Sequence, residues 1–328
     1  MKKNIALVAG GDSPEYQISI NSAKEISSVL NPDKYNVYLV IVRKGKWIVK
    51  QKGKETPVDK NDFSFQSAKG KINFDVALIA IHGTPGEDGK LQGYFELTNI
   101  PYTSCDPFTS SLTFNKFACK SFLKEFGIPT AKSVFLRKNE NYKTSEIISK
   151  LGLPCFVKPN NSGSSFGISK VMSEDELRQG ISDAFSEDDE VIIESFIEGV
   201  EVSSGLVITS KETHIFPLTE IVTKNDFFDY EAKYTEGKSE EITPARINKL
   251  MQEKCKKYSS EIYSRLGCRG IVRIDYIISG TTPYFLEINT VPGMSAESII
   301  PKQIAAYGRK TGDIFDLVIE EISGSNLR

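Results

Sequence analysis

Apolar positions fall into short, regularly punctuated runs along the first hundred residues. IALVAGG (5–11) reads as a buried strand. YQISINSAKEISSVL (16–30) follows it with apolar residues at helical spacing, after a polar DSPE entry. YNVYLVIVRKGKWIVK (35–50) reads as one extended run, and FDVALIAIHG (74–83) as a further buried strand. This is the βαβ rhythm of an open parallel sheet. Its two loops at strand C-terminal ends, GGDS (10–13) and HGTPGEDG (82–89), lie where such sheets bind ligands. GGDS is not G-x-G-x-x-G, which speaks against a dinucleotide site.

Beyond about residue 110 the pattern changes. NKFACKSFLKEFGIP (115–129) predicts a helix stopped by Gly127 and Pro129. LPCFVKP (153–159) is a short buried strand, PNNSGSSFGI (159–168) a small-residue loop, and Ser173 with Glu176 a capping box opening the next helix. EVIIESFIEG, EVSSGLVITS and THIFPLTEIV predict three strands between 190 and 222. The charged, aromatic stretch 225–241 predicts a long loop of the kind that carries function. A helix over about 246–266, a hairpin and two C-terminal helices complete the chain. These elements predict an α/β protein with boundaries near 1–108, 109–200 and 201–328; a 328-residue chain is also long enough for more than one core.

The predicted hairpin carries the first chemical signal. In GIVRIDYII (270–278) Arg273 and Asp275 share a face, and in YFLEINTVPGM (284–294) Phe285, Glu287 and Asn289 do. The polar turn SGTTP (279–283) folds one run onto the other. Asp275, Glu287 and Asn289 would then offer oxygen donors alone, the set a hard cation such as magnesium takes when shared with phosphates. The same spacing also describes a solvated face with a surface salt bridge. Lys158 ends a strand directly before the Gly-Ser loop, whose backbone N–H groups suit a phosphate. Lys116 opens the preceding helix and would add a second positive charge.

Composition narrows the class. With 39% hydrophobic and 26% charged residues and a net charge of −2, the chain reads as a globular protein without a basic nucleic-acid surface. No apolar run approaches a membrane span, and the short run after Lys2-Lys3 reads as a strand and not as a signal peptide. Five widely spaced cysteines fit neither a disulfide framework nor a zinc site, which places the protein in a reducing cytoplasm.

Taken in order, AGGDSPEYQISI, AIHGTPGEDGKLQGYFE, FNKFACK, CFVKPNNSGSSFGI, IIESFIEGVE, FFDYEAKY, VRIDY and FLEINTVPGMSAES closely resemble the D-alanine–D-alanine ligases, over essentially the whole chain. The resemblance implies an N-terminal open parallel α/β domain followed by a two-part ATP-grasp fold, three subdomains in all. It implies ADP-forming ligation of two D-alanines, with ATP and magnesium (or manganese), for the cell wall. It implies magnesium ligands Asp275, Glu287 and Asn289. Lys116, Lys158, Ser165 and Lys233 fall at nucleotide positions, and Glu194, Phe196, Ile197 and Glu201 where the family holds adenine and ribose. Glu15, His82, Ser164 and Tyr234 match the first amino-acid site. Arg273, Gly293 and Ser298 match the second amino acid and the oxyanion. The stretch bearing Lys233 and Tyr234 is expected to be a lid. The family is commonly dimeric, which implies a homodimer.

Three rival readings follow from the same residues. A ligase adding D-serine or D-lactate would share nearly all of them, although the family loses the Tyr234 tyrosine when it uses D-lactate. Another carboxylate–amine ATP-grasp ligase would lack the two N-terminal motifs. A non-catalytic nucleotide-binding regulator would be expected to have lost Arg273 or a metal ligand, and none is missing.

Overall fold

The computed structural model describes residues 2–51, 53–163, 167–223 and 239–324. Its first sheet has seven strands: β1 (Lys3–Gly10), β2 (Tyr35–Arg43), β3 (Lys46–Gln51), β4 (Lys54–Asp59), β5 (Ser64–Ser67), β6 (Gly70–Asn73) and β7 (Val76–Ile79), in the order β6-β5-β4-β3-β2-β1-β7. Only β2, β1 and β7 run parallel; β3 to β6 extend the sheet as an antiparallel meander. The extended run 35–50 is therefore a hairpin. Lys44 and Gly45 turn it with φ of 44° and 75°, the pair of left-handed residues that a two-residue hairpin turn requires.

β1 is apolar on both faces because both faces are covered. Ile5, Leu7 and Ala9 join one cluster, and Ala6 and Val8 another. Helix α1 (Tyr16–Val29) covers the first face, and helices α2 (Lys90–Leu97) and α3 (Pro107–Phe114) follow β7. The last two helices, α8 (Ile299–Ala306) and α9 (Thr311–Gly324), return to this sheet. Ile300, Ile304, Ile314, Phe315, Val318 and Ile319 complete the cluster around Ile5 and Leu7.

The central unit begins with α4 (Lys116–Lys124). It has a four-stranded antiparallel sheet, β10-β9-β11-β8, made of β8 (Ser133–Arg137), β9 (Cys155–Pro159), β10 (Ser169–Val171) and β11 (Glu190–Ser195). Helices α5 (Thr144–Leu151) and α6 (Glu174–Glu187) supply its core with Ile147, Leu151, Leu177, Ile181 and Ala184. Ser173 caps α6 by accepting from the Glu176 N–H, while the Glu176 carboxylate accepts from Met172 N–H, one residue before the position a capping box uses.

The third sheet is antiparallel throughout, in the order β15-β14-β12-β16-β17 with β13 also on β12. Its strands are β12 (Val200–Ile208), β13 (Thr213–Ile215), β14 (Thr219–Thr223), β15 (Ser239–Ile242), β16 (Val272–Ser279) and β17 (Thr282–Asn289). Helix α7 (Lys249–Leu266) covers one face; Asn248 caps it by accepting from the Met251 N–H, which starts it later than the expected 246. The hairpin expected from 270–294 is β16–β17, with Arg273 opposite Asn289 and Asp275 opposite Glu287.

One expectation for that hairpin is corrected. The register shifts after Asp275, so that Tyr276 pairs with Phe285 and Leu286 has no partner. This bulge turns Phe285 away from Glu287 and into the core, where it is 2% exposed beside Tyr276 and Ile288. All five cysteines are free and buried. Among the described residues no helix is long and apolar enough to cross a membrane.

Candidate active site

Two cavities lie side by side and share part of their walls. One, of about 100 Å³, opens between the central and third sheets, with Phe156, Lys158, Glu194, Ile197 and Glu201 among its lining residues. The other, of about 240 Å³, lies between the N-terminal domain and the loop leaving β17, with Glu15, His82, Lys116, Asn289, Gly293 and Ser298 in its wall. Arg273 and Glu287 line both.

The charges of the first cavity are held by burial and pairing. Glu194 is 2% exposed, and its two oxygens meet two lysines: Lys158 Nζ at 2.8 Å from Oε2, and Lys120 Nζ at Oε1. Burial works against the Glu194 charge, but Lys120 and Lys158 override it and hold the carboxyl down at about 2. The Glu194 side chain thus anchors Lys158 from behind. Lys120 is a residue that sequence reasoning missed: it is 2% exposed and lies on the buried face of α4 with Cys119 and Leu123. A lysine within a helix's apolar stripe was the available signal.

The Gly-Ser loop fixes the start of α4. Asn160 is fully buried; its side chain accepts from the Phe117 N–H at 2.9 Å and its carbonyl from the Lys116 N–H at 3.1 Å. Lys116 Nζ reaches back to the Ser162 carbonyl. Strand β9, which carries Lys158, and the helix that Lys116 opens are thereby locked together. Of the aromatic residues, Phe156, Tyr284 and Phe285 line the cavity, whereas Phe196 is 37% exposed with its ring centroid 6.1 Å from that of Phe156 and Lys170 over its face.

At the junction, Asp275 is 3% exposed. The Arg273 guanidinium holds it with Nη2 2.8 Å from Oδ2 and Nε 2.9 Å from Oδ1, and Ser203 donates to Oδ1 at 2.6 Å. Asn289 Nδ2 lies 3.3 Å from Oδ2. Among the described residues no three His, Cys, Asp or Glu side chains cluster as a metal site. The donor set nevertheless fits magnesium, which uses one or two carboxylates and completes its shell with phosphate oxygens and water. Two carboxylates paired across the hairpin, with an amide beside them, would provide that partial shell. Burial, only partly offset by Glu194 and Glu287, draws the Lys120 pKa down, whereas at Lys158 burial is outweighed by Glu194, with Glu287 and Glu201 adding to it, and the pKa is raised.

In the second cavity Glu15 sits at the N-cap of α1 without capping it, so its carboxylate is not part of the helix start. The loop of Gly163 packs directly on it: a Cβ at Gly163 would stand 2.6 Å from Glu15 Oε2, so any side chain there would displace the Glu15 carboxylate. His82 is 5% exposed and has both ring nitrogens engaged, Nδ1 with the Val291 carbonyl at 2.8 Å and Nε2 with Ser22 Oγ at 3.2 Å. Burial pushes its pKa down, so the ring is neutral and donates from Nδ1. Glu87, which sequence reasoning passed over in the HGTPGEDG loop, also lines this cavity. Burial, reinforced by the nearby Glu15 charge, pushes its carboxyl up to about 8. Ser298 stands at the N-cap position of α8 in the cavity wall without a side-chain capping bond; its Oγ lies 2.8 Å from Ser295 Oγ. Ser164, Ser165, Lys233 and Tyr234, with the expected lid, lie outside the described residues.

An α/β domain followed by two antiparallel sheets that enclose a lysine-lined cleft, with an oxygen-donor hairpin at its inner end, defines an ATP-grasp enzyme. The sequence models for D-ala D-ala ligase N-terminus and C-terminus match residues 4–105 and 122–320. A D-alanine–D-alanine ligase of Phocaeicola vulgatus is 49% identical over 98% of this chain and 99% of its own. Among solved structures, the VanG D-Ala:D-Ser ligase of Enterococcus faecalis superposes with a TM-score of 0.88 at 32% identity, covering 98% of this chain and 100% of that one. The D-alanine–D-alanine ligase of Bacillus anthracis complexed with ATP gives 0.78 at 30% identity, covering 97% of each chain. The chain belongs to the D-alanine–D-alanine ligase family.

Proposed function

We propose that this enzyme joins two molecules of D-alanine into D-alanyl-D-alanine, converting one ATP to ADP and phosphate. The observation that carries this reading is the meeting of the two cavities at Arg273 and Glu287. A nucleotide in the first cavity, its phosphates toward Lys158 and Lys116, ends where an amino acid in the second begins. The relative solved with ATP supports the nucleotide assignment.

Glu15 would accept the ammonium of the first D-alanine and direct its carboxylate toward the junction. A carboxylate oxygen attacks the γ-phosphorus in line, the bond to the ADP oxygen breaks, and an acyl phosphate forms. Lys116 and Lys158 draw charge from the phosphoryl oxygens during this step. Asp275, Glu287 and Asn289 would hold the magnesium, which adds neutralising charge at the phosphates. Glu201 and Ile197, with Phe156, would bound the ribose and base.

The second amino acid would place its carboxylate at Ser298 and the N-terminus of α8, where backbone N–H groups favour an anion. Its unprotonated amine attacks the acyl carbon. Arg273 and the Gly293 N–H would stabilise the tetrahedral oxyanion, an effect worth about 3 kcal/mol per well-aimed donor. Phosphate then leaves as the carbon–oxygen bond breaks and the nitrogen loses a proton. Lys233, Ser164 and Tyr234 would serve the γ-phosphate and the first site as the family resemblance implies.

Incubation with ATP, magnesium, D-alanine and an equal amount of D-serine, followed by mass analysis, tests the reading. D-alanyl-D-alanine should dominate. A mixed D-alanyl-D-serine product would move the chain to the class of the VanG neighbour, and absence of any dipeptide would refute the proposal.

A further inference from the structure

The loop that leaves β17 carries Asn289 at one end and Gly293 near the other, yet N-terminal side chains hold it in place. The Val291 carbonyl accepts from His82 Nδ1 at 2.8 Å, and the Val291 N–H donates to Glu87 Oε1 at 3.3 Å. The Met294 N–H donates to Ser22 Oγ at 3.2 Å, and Ser22 also meets His82 Nε2. The other Glu87 oxygen, Oε2, accepts from the Gly83 N–H at 2.7 Å. One carboxyl therefore holds two loops together, one from each side of the second cavity.

The arrangement is specific to Glu87. Its neighbour Asp88 is an ordinary turn acid, bonded to Thr84 and Lys90 close by in sequence. Glu87 instead reaches a residue 204 positions away. The backbone just before it has no freedom to drift, since a Cβ at Gly86 would stand 2.3 Å from the Ile81 carbonyl oxygen. Two N–H groups from two loops require two acceptor oxygens at this reach. An aspartate is one methylene short, and a glutamine would turn toward one of the donors an NH₂ with no lone pair to accept it, whereas each carboxyl oxygen keeps a lone pair whether Glu87 is ionised or protonated.

We propose that Glu87 is a positioning residue for acyl transfer: by accepting one N–H from Gly83 and one from Val291, it fixes the backbone at Val291, and the ring-locked φ of Pro292 carries that constraint on to the direction of the Gly293 N–H. The inference rests on the assignment of Gly293 to the oxyanion. Glu87 touches neither reacting atom in this account. It acts through the Val291 backbone, holding the N–H of the peptide that enters the residue while His82 holds the carbonyl of the peptide that leaves it.

The test is Glu87→Gln in the full chain, with steady-state kinetics and hydrogen exchange of the 289–294 peptide measured by mass spectrometry. The KM for ATP should stay within about twofold, because the nucleotide cavity is untouched. The kcat/KM for D-alanine should fall about 10²-fold, the loss expected when a catalytic group is displaced by an ångström. Exchange at 289–294 should quicken at least about tenfold, the factor that corresponds to loss of one hydrogen bond of ordinary strength. D-alanine kinetics within twofold of wild type would overturn the proposal, as would lost activity with unchanged exchange. Should Glu87→Gln fold poorly, Glu87→Ala, which offers neither donor an acceptor, must give the same split. If the wild-type enzyme failed to use D-alanine, the functional reading would fall, while the exchange measurement would still decide whether Glu87 holds the loop.

Discussion

Arg273 lines both cavities while its guanidinium grips the carboxylate of Asp275, two positions along the same strand, with Nη2 2.8 Å from Oδ2. One residue thus orders the carboxylate of a proposed metal ligand and borders the junction where the proposed reactants would meet. Arg273→Met should cost stability as well as turnover, because Asp275, 3% exposed, would lose its charged partner. Removing one member of a buried ion pair costs about 3 kcal/mol. Urea midpoints of the metal-free protein should show that loss, and Asp275→Asn added to Arg273→Met should recover part of it. Additive losses would mean that the two side chains are not coupled.

Glu194 with Lys120 and Lys158 predicts an acid-sensitive core in the central unit. The Glu194 carboxyl is held at about 2, below the ordinary 4.5, so its contribution is fully present above pH 4.5 and drains away as pH falls toward 2. Glu194→Gln should remove that part of the acid dependence and leave two buried lysines facing an uncharged amide. The KM for ATP should rise about tenfold as Lys158 loses its anchor, the effect of one lost charge-assisted bond. An unchanged KM in a folded variant would show that Lys158 does not depend on Glu194.

Glu87 predicts the opposite slope. Its folded-state pKa lies near 8, above the ordinary 4.5, so the folded protein retains a proton that the unfolded chain releases. The stability it contributes is complete below pH 4.5 and is lost as pH rises toward 8, at roughly 1.4 kcal/mol per pH unit across that window. Subtracting the pH–stability curve of Glu87→Gln from that of wild type should isolate this slope. A flat difference between pH 5 and 7.5 would mean that Glu87 is ionised in the folded protein.

Glu287→Gln isolates the metal reading most cleanly, since Glu287 lines both cavities while Asp275 also supports Arg273. Turnover should fall on the order of 10²-fold, and the magnesium concentration for half-maximal rate should rise. Nucleotide binding measured without metal should change little. A variant with wild-type magnesium dependence would remove Glu287 from the donor set.

Much of this site was legible because its chemistry sits on regular strands. The period-two spacing of Arg273 and Asp275, and of Glu287 and Asn289, survives in the β16–β17 register with each pair directly opposed. What failed was the part a local irregularity controls: the bulge at Leu286 moved Phe285 to the core, and no residue type in YFLEIN announces an extra position. Lys120 escaped because a lysine in a lysine-rich helix reads as solvated, and only the distant Glu194 makes its burial tolerable. Glu87 escaped for a similar reason, since its partner Val291 lies on a loop that sequence patterns do not bring near it. The antiparallel meander β3–β6 was hidden because short polar strands such as GKIN carry too little apolar periodicity to separate them from loops.

The central claim is that the two cavities hold the two reactants of one coupled reaction. Phosphate release from ATP, followed with and without D-alanine in the presence of magnesium, tests it most directly. The account predicts release that depends on D-alanine, with one phosphate per dipeptide formed. Release that ignores D-alanine, or none at any D-alanine concentration, would contradict it.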